Sequence, residues 1–223
     1  MIIAFRAVRV GQPVVAGCVK NYSVKKRLIL LSVAATAIAA VAAVQAGAIG
    51  SAFQIRGTNT FCLAPEAART LTEQKVEVEP IAPATASGTC VTLQGTGTLA
   101  PDVTSGEGTL TGGMRFTGGG HRLEVTNLQG HVRFGEGSTS ADLAQDGGPV
   151  TNVDFAHWPI SLSRVSMTPT TASMKDNPVT LTDKGTAAFV HAFGAGPTPG
   201  NTPLWSYEGK GELSNPFRSP AKP

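Results

Sequence analysis

Cysteine, tyrosine and tryptophan are nearly missing from this sequence. It has three, two and two of them in 223 residues, with aromatics at 6%. Acids are missing locally: the first fifty positions hold Arg6, Arg9, Lys20, Lys25, Lys26 and Arg27 but no Asp or Glu. The remainder carries 12 basic and 15 acidic side chains, so the overall charge of +3 belongs to the N-terminus. A nucleic-acid reading thereby loses its main support. Enzyme signatures are lacking too, with no G-x-S-x-G elbow, P-loop, dinucleotide fingerprint or H-E-x-x-H. The close glycines of GGMRFTGGGH follow a strand but open no helix, so they make no phosphate loop. His131, His157 and His191 are isolated, without the spacing of a metal site. The Asp146-Gly147-Gly148 turn offers too few oxygens for calcium. The expectation is a protein that is neither an enzyme nor a resident-metal protein.

What is present begins with an address. Lys25, Lys26 and Arg27 precede an apolar run from Leu28 to Ala46, followed by small residues suited to a signal peptidase at Ala46 or Ala48. The run reads as a cleavable export signal or a retained membrane anchor over residues 24–48. Residues 1–23 fit no signal plan, and Val24 is the expected true start. Export agrees with cysteine usage, because only Cys62 and Cys90 follow the leader. One disulfide between them closes a loop of about 28 residues, worth roughly 3.5 kcal/mol on chain entropy; the alternative is two buried thiols.

Glycine and proline are abundant, at 26 and 15 residues, and the apolar pattern is short alternations between turns. From Glu107 to Leu143 the chain reads strand, glycine turn, strand, bulge, strand, hairpin, strand. His121, Leu123 and Val125 share one face of HRLEV, whereas Val132 and Phe134 share one face of HVRF. The phase slips by one, so residues 127–130 must hold a bulge or turn. Residues up to Thr60 read as a lead-in, and Pro65–Gln74 as a short possible helix. KVEVEPI reads as an edge strand ended by Pro80, and residues 89–99 as the next strand. Two further strands flank Trp158-Pro159, residues 168–178 read as polar linker, and 204–213 as the last strand. The one good helix lies in 181–196, capped by Thr182 or Asp183 and ended by Gly194 or Gly196, although Gly185 in its first turn weakens it. The sum is an all-β, antiparallel β-sandwich of about ten strands with one short α-helix over residues 51–213, then a disordered tail at 214–223.

GTG at Gly95 to Gly97, Phe116-Thr117-Gly118, His121 and Ser140-Ala141-Asp142-Leu143 stand in a recognisable order. With LTDKGTAAFVHAFGAG and PLWSYEGKGEL after them, residues 92–213 resemble the HtaA-type haem-binding domain. The resemblance implies that fold, haem as ligand, and an exported cell-envelope protein whose partners are haem, a haem donor or the membrane. It implies an iron-ligating tyrosine near the domain's start, yet residues 51–90 contain no tyrosine and no tryptophan. Tyr207 lies in the last strand, away from the matching place. His121 matches a turn where the family places a supporting histidine, which makes it the candidate haem residue, with Leu123, Val125 and Phe193 as an apolar wall. Its bland alternative is a strand-end histidine with a structural hydrogen bond. The expected function is weak haem binding or handling. The alternative is a structural or adhesive surface module without a small ligand.

Overall fold

The computed structural model describes residues 52–214; the export segment, the expected start at Val24 and the tail beyond 214 lie outside them. Twelve strands form one antiparallel sheet, in chain order with two helices and a 3-10 turn. The strands are β1 (Phe53–Leu63), β2 (Glu77–Ile81), β3 (Thr85–Ser87), β4 (Cys90–Leu99), β5 (Ser105–Thr111) and β6 (Gly113–Gly118). They continue with β7 (His121–Arg133), β8 (Glu136–Gln145), β9 (Thr151–Pro159), β10 (Val165–Met167), β11 (Thr171–Leu181) and β12 (Trp205–Ser214). Helix α1 (Pro65–Glu73) follows β1, the 3-10 turn Leu162–Arg164 precedes β10, and α2 (Asp183–Phe193) precedes β12.

The all-β expectation holds, but the sandwich does not. Eight strands run β7-β5-β4-β1-β12-β11-β9-β8, and β8 pairs back to β7, so the sheet closes into a barrel. Closure follows from the length of β7. Its residues 121–126 pair with β6 and its residues 129–133 with β5, while β8 follows the other edge. The eight strands of the ring are thereby left without an open end. The switch between partners falls at the expected bulge: Asn127 has φ 48, and the β7–β8 register shifts between Thr126 and Gln129. Asp142 pins it, accepting from Asn127 Nδ2 at 3.0 Å and from Asn152 Nδ2 at 2.7 Å.

One end of the barrel is filled. Phe116, Leu123, Val125, Leu128, Phe155 and Phe189 are buried there almost completely. Phe189 brings α2 against the sheet, its ring 4.7 Å from that of Phe116. The helix starts where Thr182 accepts the Gly185 N–H at 3.1 Å, and it ends at Gly194 in the left-handed region. Gly185 is what lets α2 dock, since a Cβ there would lie 2.3 Å from the Phe155 carbonyl oxygen. α1 is a second helix where one was expected, anchored by buried Ala67 and Leu71. Among the described residues no helix is long and apolar enough to cross a membrane.

Two other expectations are corrected. The supposed lead-in is β1, paired along its length with β4 and β12. The supposed linker at 168–178 is largely β11. Its Pro178 and its Asp176, at φ 49, disguised it. Pro178 is tolerated because β9 and β10 pair with β11 only at 180–181 and 172–174, so no second ladder needs its missing N–H, and Asp176 falls at the β11–β12 register shift between Met174 and Asn177. KVEVEPI is an edge strand as expected, with β2 last in the order.

The Cys62–Cys90 disulfide is formed, with S–S 2.06 Å. The two residues face each other directly in the β1–β4 register. The loop they close contains α1, β2 and β3.

Candidate functional site

The other end of the barrel is hollow, and glycine makes it so. Gly211, Gly57 and Gly95 are in register across β12, β1 and β4, and Gly97, Gly108 and Gly130 across β4, β5 and β7. These positions face inward, where side chains would otherwise meet. At Gly97 the strands are so close that a Cβ would lie 2.2 Å from the Glu107 carbonyl oxygen. At Gly130 a Cβ would find only the edge of Trp158, 3.9 Å away. The result is a cavity of about 210 Å³ walled by Ile55, Leu110, Val132, Trp158, Val179 and the glycine backbone.

Its floor is aromatic. Phe61 packs on Tyr207 at 5.1 Å and on Trp205 at 5.8 Å, which separates the hollow from the filled core. Its mouth is bordered by Leu99, Val103, Ile160 and Val165. Backbone bonds tie the mouth together: Phe134 N–H donates to the Thr104 carbonyl at 2.8 Å, and Ile160 N–H to the Gly135 carbonyl at 2.7 Å. Phe134 was expected on the same face as Val132. It instead occupies the β7–β8 turn at φ 49, with 89% of its surface exposed. Leu162, 73% exposed, lies in the 3-10 turn that follows Ile160. Among the described residues the two most exposed large apolar side chains thus lie within two positions of cavity-lining Val132 and Ile160.

The lumen is uncharged. Glu107 and Lys210 border it, but each is exposed and alternates with inward glycines, so their carboxylate and ammonium face outward. The polar groups inside are few. Tyr207 donates its hydroxyl to Asn59 Oδ1 at 2.6 Å, and burial pushes its phenol up to about 12. The ring registers as only half-buried because its free surface faces the hollow. Asn177, opposite Tyr207 in register, is fully buried, and neither atom of its amide has a protein partner. Met174 contributes a thioether to the wall.

His121 is elsewhere. It opens β7, whereas the mouth lies by Val132 near the strand's other end, roughly 35 Å away at the usual rise. Its side chain is 55% exposed, with Nδ1 3.0 Å from Asp146 Oδ2. That bond and the Arg122 N–H, 2.7 Å from Oδ1, hold the Asp146 carboxyl below the usual carboxylate range. The expected wall does not form beside His121. Leu123 and Val125 are consumed by the filled core, and Phe193 packs on Phe189 at 6.1 Å. The phase along β7 was read correctly, but residue 121 is the strand's first and its side chain turns to the surface. None of the four histidines borders the cavity: His157 and His191 are exposed, His191 Nδ1 pairing with Gln145 Oε1, and His131 alternates with inward Val132. Among the described residues no three His, Cys, Asp or Glu side chains gather as a metal site.

Sequence reasoning passed over Tyr207 and Asn59. The missing step was the pairing of the first strand with the last, which sets Tyr207 opposite Phe61. A signal for the hollow was present. G-T-G at 95–97, G-E-G at 106–108 and G-K-G at 209–211 each put two glycines on one face of a strand.

No family model and no curated protein matches the sequence. Solved structures do match by shape. The C-terminal domain of HtaA from Corynebacterium glutamicum aligns over 74% of this chain and 100% of its own, with TM-score 0.56 and 17% identity. The N-terminal domain of the same protein aligns over 71% of this chain and 98% of its own, with TM-score 0.52 and 13% identity. The fold is HtaA-like.

Proposed function

We propose that this HtaA-like chain is an exported, envelope-associated binding module that handles haem weakly, taking an apolar edge of the porphyrin into the hollow end of its barrel. The observation that carries the reading is the unfilled, uncharged lumen. Leaving an apolar hollow of about 210 Å³ unpacked forgoes burial worth about 0.8 kcal/mol for each methyl group that could have filled it. A binding role accounts for the space.

The residues present fit part of haem. Ile55, Leu110, Val132 and Trp158 suit a ring edge, and the exposed Phe134 and Leu162 can cover what stays outside. Whole-ligand pockets run about 300–1,000 Å³, so the lumen takes a portion of the macrocycle and leaves the rest at the mouth. Among the described residues an iron ligand is not in place. Tyr207 is a neutral donor to Asn59, and His121 is far from the hollow. Affinity on the order of micromolar, roughly −8 kcal/mol, is the expected result of burial alone. The envelope address rests on the cations at 25–27 and the apolar run after them.

Titration of the full chain with ferric haem tests this, followed by the Soret band and by quenching of Trp158. A Soret shift with saturable quenching near micromolar supports the reading. No change at roughly tenfold higher concentration rejects it. Rejection favours the adhesive module without a ligand, for which Phe134 and Leu162 would be the contact.

A further inference from the structure

We infer that the lumen recognises the porphyrin ring and not its iron, so that its ligand class is tetrapyrroles with their acids on one edge, whether metal-bound or metal-free. This rests on the haem-handling reading of the same cavity and names what that cavity selects.

The donors settle the first half. All four histidines lie in the described residues and none borders the hollow. Cys62 and Cys90 are spent on each other. Two side chains on the wall carry an atom that could reach iron, Tyr207 and Met174. Tyr207 would have to release both its proton and its 2.6 Å bond to Asn59 within an uncharged lumen. No cationic side chain of the described residues faces that lumen, so only the iron itself could draw the proton off, and at the cost of the Asn59 bond. Met174 offers a soft, neutral sulfur, a poor match for ferric iron. What remains is area: an aromatic floor, an aliphatic wall and Trp158, which grip a flat conjugated ring whatever its centre holds.

The charge distribution settles the second half. A carboxylate carried into the lumen would meet no cationic side chain of the described residues, and the unpartnered Asn177 amide is not among the groups on its wall; an unpaired buried charge is heavily penalised. The acids of the ligand must stay at the mouth. Arg133, which ends β7, and Arg164, in the 3-10 turn, are exposed beside Phe134 and Leu162 and can meet them there. A ring with acids along one edge enters by the opposite edge. A ring with acids on every side has no edge to insert.

The test titrates the full chain, by tryptophan quenching, with haem, metal-free protoporphyrin IX and uroporphyrin, which carries carboxylates on every pyrrole. Haem and protoporphyrin IX should bind within about threefold of each other, and uroporphyrin at least about tenfold more weakly. Gly130→Leu, which fills the hollow, should weaken both binders equally, with the fold checked by circular dichroism. If haem binds but the metal-free ring is about tenfold or more weaker, iron is the anchor and the inference falls while haem handling stands. Equal binding of uroporphyrin, or binding untouched in a folded Gly130→Leu, overturns it as well. If no ring binds, it falls together with the function it rests on.

Discussion

Two glycines of the same belt should answer the same substitution with opposite signs. At Gly130 the space is open, and a methyl would meet Trp158 at 3.9 Å. Gly130→Ala buries about one methyl group, worth ~0.8 kcal/mol. It also restricts the unfolded chain by about 0.4–1 kcal/mol. The expected gain is thus roughly 1–2 kcal/mol, or a melting temperature higher by about 3–6 °C for a domain of this size. At Gly97 the added methyl would lie 2.2 Å from the Glu107 carbonyl oxygen and 2.8 Å from the Gly108 Cα. Those are backbone atoms of the neighbouring strand, so β4 and β5 must separate, at a cost of about 1–3 kcal/mol. Urea unfolding with an unchanged slope, alongside thermal melts, measures both. If Gly130→Ala destabilises, or if the two variants shift the same way, the lumen is not hollow and the ligand reading loses its ground.

The remaining predictions concern the bridge, a buried amide and acid. Thiol counting on the unfolded segment 51–223 should find Cys62 and Cys90 unreactive, and Cys62→Ser with Cys90→Ser should cost up to about 3.5 kcal/mol; two titratable thiols would reject the bridge. Asn177→Leu should stabilise by about 1–2 kcal/mol, because neither amide atom leaves a protein partner orphaned; a loss would reveal a bound water or ligand group there. Asp146, lowered chiefly by the His121 bond, and Asp142, lowered chiefly by Asn152 and then Asn127, have carboxyl groups depressed in the fold. Their contribution is therefore full above the unfolded value of about 3.9 and lost as pH falls through the depressed values, so the melting temperature should drop between about pH 4 and pH 2. A flat profile across that window would contradict the hydrogen bonds at both carboxylates.

Local pattern was legible wherever one strand or one helix decided it. The bulge after Thr126, the caps at Thr182 and Gly194, and the Cys62–Cys90 pair could be read because each depends on neighbours in sequence or on counting. Gly185 was read as a flaw because propensity sees only its own helix, while the Phe155 carbonyl that requires it comes from β9. Closure into a barrel was not legible, since it turns on which strand the far edge of β7 meets. The site suffered from the same gap. Tyr207 was dismissed for lying on the last strand, although in the barrel the last strand is beside the first. His121 was favoured for matching a turn of the resembled family and turned inward on phase alone, and phase says nothing about a strand's opening residue, whose side chain is free to leave the row.

That neighbour relation between β1 and β12 also sets an order in time. The pairs run from Gln54↔Ser214 to Leu63↔Trp205, contacts between residues some 150 positions apart. A ribosome adding about 5–20 residues per second makes β12 on the order of ten seconds after β1. β4 follows β1 much sooner, so the pair joined at Cys62 and Cys90 can assemble early, with one flank of β1 still waiting. Until Trp205 to Ser214 exist, that flank offers bare amides and carbonyls to any passing strand. A nascent chain stalled in the loop before β12 is therefore a ready template for misassembly, and only the final ten described residues remove the hazard.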